Sequence, residues 1–356
     1  LEQHISADVP YAVWQYWLAT GDDGFMRDAG AEILIECARF WASRVEKGKD
    51  SQFHILHVEG PDEYHEGVDD DAFTNIMAAW ALERAFEAVQ WLKAKHTAAW
   101  RALSDRLSLK EAEPSLWRQV AGAMYTGFDE STGLIEQFTG FFKLEDIGLT
   151  AYEPRSAPMD ILLGRERTMK SQVVKQADVL MLFQLLEDQY SREVIEKNYL
   201  YYEPRTGHGS SLSPSTHALI AARLGYLDDA RRYFKMAASI DLDNSMGNSA
   251  GGIHAAACGG LWQSVVLGFA GMRVLEGMLV FDPHIPPEWS ALSLPVMYRG
   301  RRLRVEIKSD PPEMTVSLTD GAGPVTVGIG DTRAAVEPGD LVRAVNVEGR
   351  WVVKEG

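Results

Sequence analysis

Residues 57–71, HVEGPDEYHEGVDDD, set carboxylates at 59, 62, 63, 66 and 69–71 around a Gly60-Pro61 turn, with His57 and His65 among them. A carboxyl group can donate a proton near neutral pH only if its pKa is raised, which burial and neighbouring negative charge both do. On composition alone such a stretch reads as a solvated acidic loop. The chemical reading makes one of these carboxylates a general acid, with Glu63 and, three residues on, Glu66 among the candidates. Asp62 and Asp69 can equally orient backbone or cap the helix that follows, and negative charge at 69–71 complements that helix's dipole. The histidines and acids lack a ligand spacing such as HExxH, so no metal site is read here.

Three further stretches carry polar groups of use to a reaction. TGHGSSLSP, residues 206–214, is rich in donors: His208, Ser210, Ser211 and backbone N–H groups opening a helix near Pro214. Helix N-termini bind anions, and glycines let an anion approach the backbone. The stretch contains no Asp or Glu; Glu203 lies just upstream, before the Pro204 turn. His254 in GGIHAAA reads, from its neighbours alone, as a packed core histidine. Lys175 and Gln176 in VVKQADVLML sit at the start of a helical pattern whose buried face would be Val174, Ala177, Met181, Leu182 and Leu185. A solvent-facing lysine is the ordinary reading there. Tyr64, Trp14 and Trp91 could stack on a sugar, but tryptophans in such helices are ordinarily core.

The chain has 356 residues, 46% of them hydrophobic, enough for a large core and two domains. Its net charge of −16 disfavours general attraction to nucleic acid or an anionic membrane. No apolar run is long enough to span a bilayer. Two distant cysteines, Cys37 and Cys258, fit a reducing compartment such as the cytoplasm. Helical periodicity is read over 8–19, 24–46, 72–96, 110–122, 169–187, 212–224, 227–240 and 255–269. Repeated helical hairpins fit an (α/α) toroid or helical barrel. After Gly271 short β-branched runs alternate with Gly, Pro and Asp turns, as in a small antiparallel β-sandwich. The expected organisation is therefore mainly α, with a helical domain over 1–270 and a β-domain over 271–356.

Four stretches together, HVEGPDEYHEGVDDDAFTNIMAAWAL, SQVVKQADVLML, YYEPRTGHGSSLSPSTHALIAARLG and GGIHAAACGGLWQSVVLGF, resemble glycoside hydrolase family 65, the α-glucoside phosphorylases and hydrolases. ISADVPYAVWQYW and YRGRRLRVEIK fit the same pattern in the same order, so the likeness spans nearly the whole chain up to about residue 330. The resemblance implies an incomplete barrel of the (α/α)6 type, the C-terminal portion of a longer enzyme. It carries the general-acid role to Glu63 in GPDEYH, glucosyl contacts to Lys175 and Gln176, and phosphate contacts to Ser210, Ser211 and His254. Gly209 stands where these phosphorylases often have Asp.

The expected reaction is inverting phosphorolysis: Glu63 protonates the departing oxygen while phosphate attacks the opposite face, giving β-glucose 1-phosphate. The partners implied are an α-glucoside and inorganic phosphate as co-substrate, with no metal or organic cofactor, no nucleic acid and no membrane; a homodimer is usual for such enzymes. An inverting hydrolase is the alternative, with water and a base such as Glu203 at the spacing such a pair needs. A sugar-binding module without catalysis is the third reading.

Overall fold

The helix Ala72–Lys95 begins where the run of aspartates ends. Asp71 leaves the helical region (φ −55°, ψ 123°), and its Oδ1 accepts from the amide and hydroxyl of Thr74 at 2.7 and 2.6 Å. The cap satisfies an orphan N–H and puts negative charge at the positive end of the dipole, while Lys93 and Lys95 complement the other end. Apolar on almost every side, the helix is buried along its length and packs on Ala31–Arg44 and Glu113–Ala121.

The computed structural model describes residues 1–155, 157–275 and 277–354. Its backbone falls into two units, Leu1–Trp17 with Gly21–Gly209, and Leu18–Thr20 with Ser210–Gly356. In the first, the pattern over 24–46 is realised as a π-helical stretch, Met26–Gly30, running into Ala31–Arg44. Two helices absent from the sequence reading appear, Thr97–Leu107 and Arg192–Tyr202, the latter capped by Ser191.

The pattern over 169–187 does not form one helix. Only Val179–Leu185 is helical in its second half, and Val173 to Gln176 are non-helical, with Val174 bridged to Thr206 and a bend at Lys175 and Gln176. The reason is tertiary: Val174 N donates to Arg205 O (2.9 Å), Gly207 N to Val174 O (2.6 Å) and Gly209 N to Lys175 O (3.1 Å). Those ladder bonds take the groups a helix would have used.

In the second unit, Ser213–Leu224 and Leu227–Leu242 form a hairpin about Gly225, whose φ of 82° is the left-handed value a glycine cap supplies. Helix Ala255–Gln263 continues into a π-helical stretch Ser264–Phe269, and both pack on Ser213–Leu224. Gly260 is the close approach: a Cβ there would lie 2.4 Å from Ser215 Oγ.

Apart from two short hairpin pairings in the first unit, 46–47 with 53–54 and 128–129 with 134–135, the strands begin at Arg273. A five-stranded antiparallel sheet runs in the order 350–354, 341–347, 312–320, 301–309, 291–298. A four-stranded sheet runs 332–336, 325–329, 278–281, 273–275, and its 325–329 to 278–281 pairing is parallel, unlike the antiparallel rest. Leu303, Val305 and Ile307 point inward while Arg302, Arg304 and Lys308 face water, the period of two expected of a sheet with one buried face. Both sheets share one core, with Phe281, Val327 and Ile329 from one and Leu303, Val305 and Val316 from the other.

Among the described residues no helix is long and apolar enough to cross a membrane, and no group of His, Cys, Asp and Glu is arranged to hold a metal ion. Both cysteines are free.

Candidate active site

Asp62 is the hub of the acidic loop. It is 1% exposed, and its two oxygens take four donors. Oδ1 accepts from Lys175 N (2.8 Å) and Tyr64 N (3.3 Å); Oδ2 accepts from Gln137 Nε2 (2.9 Å) and His65 Nδ1 (2.7 Å). The other ring nitrogen of His65 meets the Ser171 carbonyl at 2.9 Å. Both ring nitrogens thus face acceptors, which only the imidazolium satisfies. Burial works against that charge, but Asp62 and the Ser171 carbonyl more than offset it, and the net pKa shift of His65 is upward.

This buried network aims the residue between its members. Glu63 projects outward, its side chain 42% exposed, and pairs with the Lys175 ammonium. The sequence reading expected an acid crowded by negative charge. That crowding falls on Glu59, pushed up by burial and then by Glu66, whereas Glu63 meets a cation. Glu66 is engaged elsewhere, its carboxylate 2.6 Å from Arg165. Tyr64 is buried, its hydroxyl donating to Asp160 Oδ1 at 3.0 Å, and burial pushes its phenol pKa up. It is therefore no stacking face.

Lys175 and Gln176 reach this loop from a non-helical bend, which corrects their expected place at a helix start. The amide of Gln176 donates to Pro61 O at 2.5 Å, bracing the Gly60-Pro61 turn, and its Oε1 is buried without a partner among the described residues. The 207–209 segment closes the same corner: a Cβ on Gly209 would lie 2.9 Å from the Tyr64 hydroxyl, so an Asp there would require that hydroxyl to shift. His208 stands between these glycines with a left-handed φ of 50°. Glu203 lies in the 3-10 turn Glu203–Arg205 that follows the helix 192–202.

The three consecutive aspartates have separate tasks. Asp69 accepts from His57 N at 2.9 Å, Asp70 pairs with His54 at 2.9 Å and takes Asn75 at 3.1 Å, and Asp71 caps its helix. Asp178 was not anticipated from the sequence. It is 2% exposed, accepts from Asp62 N at 3.3 Å, and its Oδ2 converges with Asp71 Oδ2 beneath Gly60. Burial, then the charges of Asp71 and Asp62, push its pKa well above the usual carboxylate range. Only an AD pair before an apolar run marked it.

In the second unit, Ser210 and Ser211 precede the helix 213–224, and the Ser210 hydroxyl accepts from Leu212 N at 3.3 Å. His254 stands at the start of the neighbouring helix 255–263, as a part-exposed residue and not a core histidine. Its Nδ1 lies 2.6 Å from Asp241 Oδ1, and its own amide donates to Asp241 Oδ2 at 2.9 Å. Those bonds hold the Asp241 carboxyl below its ordinary pKa. Asp241 thereby takes Nδ1, so a ligand of this ring would meet Nε2. Asp241 is a second residue that sequence reasoning did not single out.

The glycosyl hydrolase family 65 central catalytic domain matches residues 1–263, and that family's C-terminal domain matches residues 272–336. The chain belongs to glycoside hydrolase family 65. Kojibiose phosphorylase of Halothermothrix orenii is 43% identical over 312 residues, which is 87% of this chain and 40% of the relative. The 1,2-alpha-glucosylglycerol phosphorylase of Bacillus selenitireducens is 39% identical over 92% of this chain and 44% of its own. A solved chain from the human microbiome, named as a candidate kojibiose phosphorylase, superposes with a TM-score of 0.87 at 26% identity, over 96% of this chain and 50% of that one. The chain thus spans half or less of the length of the family 65 proteins it matches. Within the first unit, the family 65 fold brings Glu63, Lys175 and Gln176 to one corner.

Proposed function

We propose that the protein carrying this chain cleaves an α-glucoside by inverting phosphorolysis. One observation supports the assignment of the acid above the others. Asp62, Asp69, Asp70 and Asp71 are engaged by backbone and side-chain donors and Glu66 by Arg165, whereas Glu63 projects from a braced turn onto the flexible stem of Lys175. A carboxyl so placed can deliver a proton to a glycosidic oxygen, and the lysine can turn to sugar hydroxyls when substrate enters. The C–O bond to the leaving group breaks as phosphate oxygen bonds to the anomeric carbon from the other face.

Phosphate needs donors and no general base. Ser210, Ser211 and the His254 ring are assigned to it, with His208 as a further donor and backbone N–H groups of the helix 213–224 in support. Relatives named for kojibiose and 1,2-α-glucosylglycerol favour an α-1,2-linked glucoside as substrate.

The test is cleavage of kojibiose, other α-glucobioses and glucosylglycerol by the complete gene product, with and without phosphate. Phosphate-dependent β-glucose 1-phosphate is the expected product. Free glucose without phosphate would replace this reading by hydrolysis, with Glu203 the first base to examine. Glu63→Gln should lower turnover by about 10²- to 10⁴-fold, the usual worth of a general acid. An unimpaired variant would remove Glu63 from the mechanism.

A further inference from the structure

Beneath the Gly60-Pro61 turn lie two carboxyl groups that the reaction does not use. Asp71 and Asp178 are 1% and 2% exposed and come from different elements. Asp178 immediately precedes the helix Val179–Leu185, where an aspartate ordinarily caps, yet its side chain makes no cap bond. It turns the other way. A Cβ built on Gly60 would lie 2.2 Å from Asp71 Oδ2 and 2.6 Å from Asp178 Oδ2, so both oxygens converge under one backbone atom. Asp178 Oδ2 also accepts from Asp62 N at 3.3 Å.

Two carboxylates that converge in so buried a place repel one another unless one of them is the neutral acid, which then has a proton to offer the other. The surroundings agree. Asp178 Oδ1 is buried without a partner among the described residues, tolerable for a neutral acid and costly for an anion. Asp62, His65, His4 and the buried Tyr202 lie around the pair; the two histidines supply positive charge, but His65 is committed to Asp62 and His4 to Asp8.

We propose that Asp71 and Asp178 share a single proton, and that the resulting O–H···O contact makes them positioning residues that hold the Gly60-Pro61 turn and so aim Glu63. The path is short: Asp178 holds Gly60 and Asp62 N, and Asp62 in turn holds Tyr64 N and Lys175 N on either side of Glu63. The aiming half rests on Glu63 being the proton donor; the shared proton does not.

Asp178→Asn tests both halves, because its side-chain amide can donate to Asp71 with no extra proton needed. Asp178→Leu cannot. A group whose folded pKa lies above the unfolded value contributes stability that is present at low pH and lost as pH rises through the folded pKa. Above the ordinary aspartate value of 3.8, the folding equilibrium of the wild-type gene product should therefore lose up to about tenfold per pH unit relative to Asp178→Asn. The wild type should also show a carboxylic-acid C=O stretch in the infrared at pH 7 that the Asn variant lacks. Parallel pH dependences and no such band would overturn the shared proton.

For positioning, Asp178→Asn should recover turnover at least about tenfold over Asp178→Leu, with the phosphate KM of both unchanged. An Asn variant as poor as the Leu variant, or as any unfolded one, would overturn that half. Full activity of Glu63→Gln would instead fail the catalytic assignment, and the stability and infrared results would still decide the proton.

Discussion

A methyl group added at Gly60 would sit 2.2 Å from Asp71 Oδ2, whereas one added at Gly259 would meet no heavy atom within 4 Å. The two glycines belong to the two regions assigned to the reaction, the proton donor's loop and the helix that starts at His254. Around Gly60 the polar groups are tightly engaged: Asp62 takes four donors, Pro61 O takes Gln176, and Asp71 and Asp178 converge beneath the turn, with Gln176 Oε1 and Asp178 Oδ1 left unpaired among the described residues. Around His254 one built contact, to Asp241, stands beside an exposed Ile253 and Trp262. Proton delivery demands a fixed direction, and a network with no slack supplies it. Capture of a small anion needs donors that remain accessible, which an open glycine-rich helix start supplies.

The largest effect should follow from closing the gap at Gly60. Gly60 does not use a left-handed backbone, so Gly60→Ala carries no conformational penalty and tests the space alone. The added carbon must displace Asp71 or Asp178, which should cost roughly 1–3 kcal/mol of stability, as overpacked cores do. Turnover should fall further than stability explains, by about 10²-fold, because the turn that aims Glu63 moves. Denaturant unfolding and steady-state rates on the same variant check the pair. Unchanged rates in a destabilised protein would break the link between the floor of the turn and the proton donor.

How much of this could be read beforehand depended on the range of the interaction. The cap of the helix 72–95, the glycine closing the helix 213–224 and the change of texture after Gly271 are local signals, and all three are in the structure. The motif around Glu63 was legible only through family resemblance, since seven carboxylates in fifteen residues do not announce which is exposed. Lys175 and Gln176 were read as the start of a helix because apolar spacing there is helical; pairing with residues 205–209 overrode it. Asp178 contacts Asp62 from 116 residues away, and no local pattern encodes that.

A smaller effect is expected on the open side of the comparison. Asp241 fixes the orientation of His254 and favours a proton on Nδ1, and a charge-neutral Asp241→Asn keeps one acceptor of the two. Its phosphate KM should rise about three- to tenfold, the worth of one weakened hydrogen bond, with kcat at saturating phosphate little changed. The Asp241 pKa lies below its ordinary value, so its contribution is present above that value and is lost as pH falls through the folded one. Phosphate affinity of the wild type should accordingly weaken in acid more than that of the variant. A fall in kcat with KM intact would remove His254 from anion capture.

The smallest effect has the opposite sign. Gly259 lies in the middle of the helix 255–263, exposed, with room for a side chain. A mid-helix glycine is less favourable than alanine by roughly 0.5–1 kcal/mol, so Gly259→Ala should stabilise the protein by about that much and leave phosphate saturation alone. Raised stability with weakened phosphate binding would mean that the space beside Gly259 is kept for an anion's approach to the backbone. The contrast with Gly60 would then be one of what fills the gap, carboxyl oxygens in one region and substrate in the other.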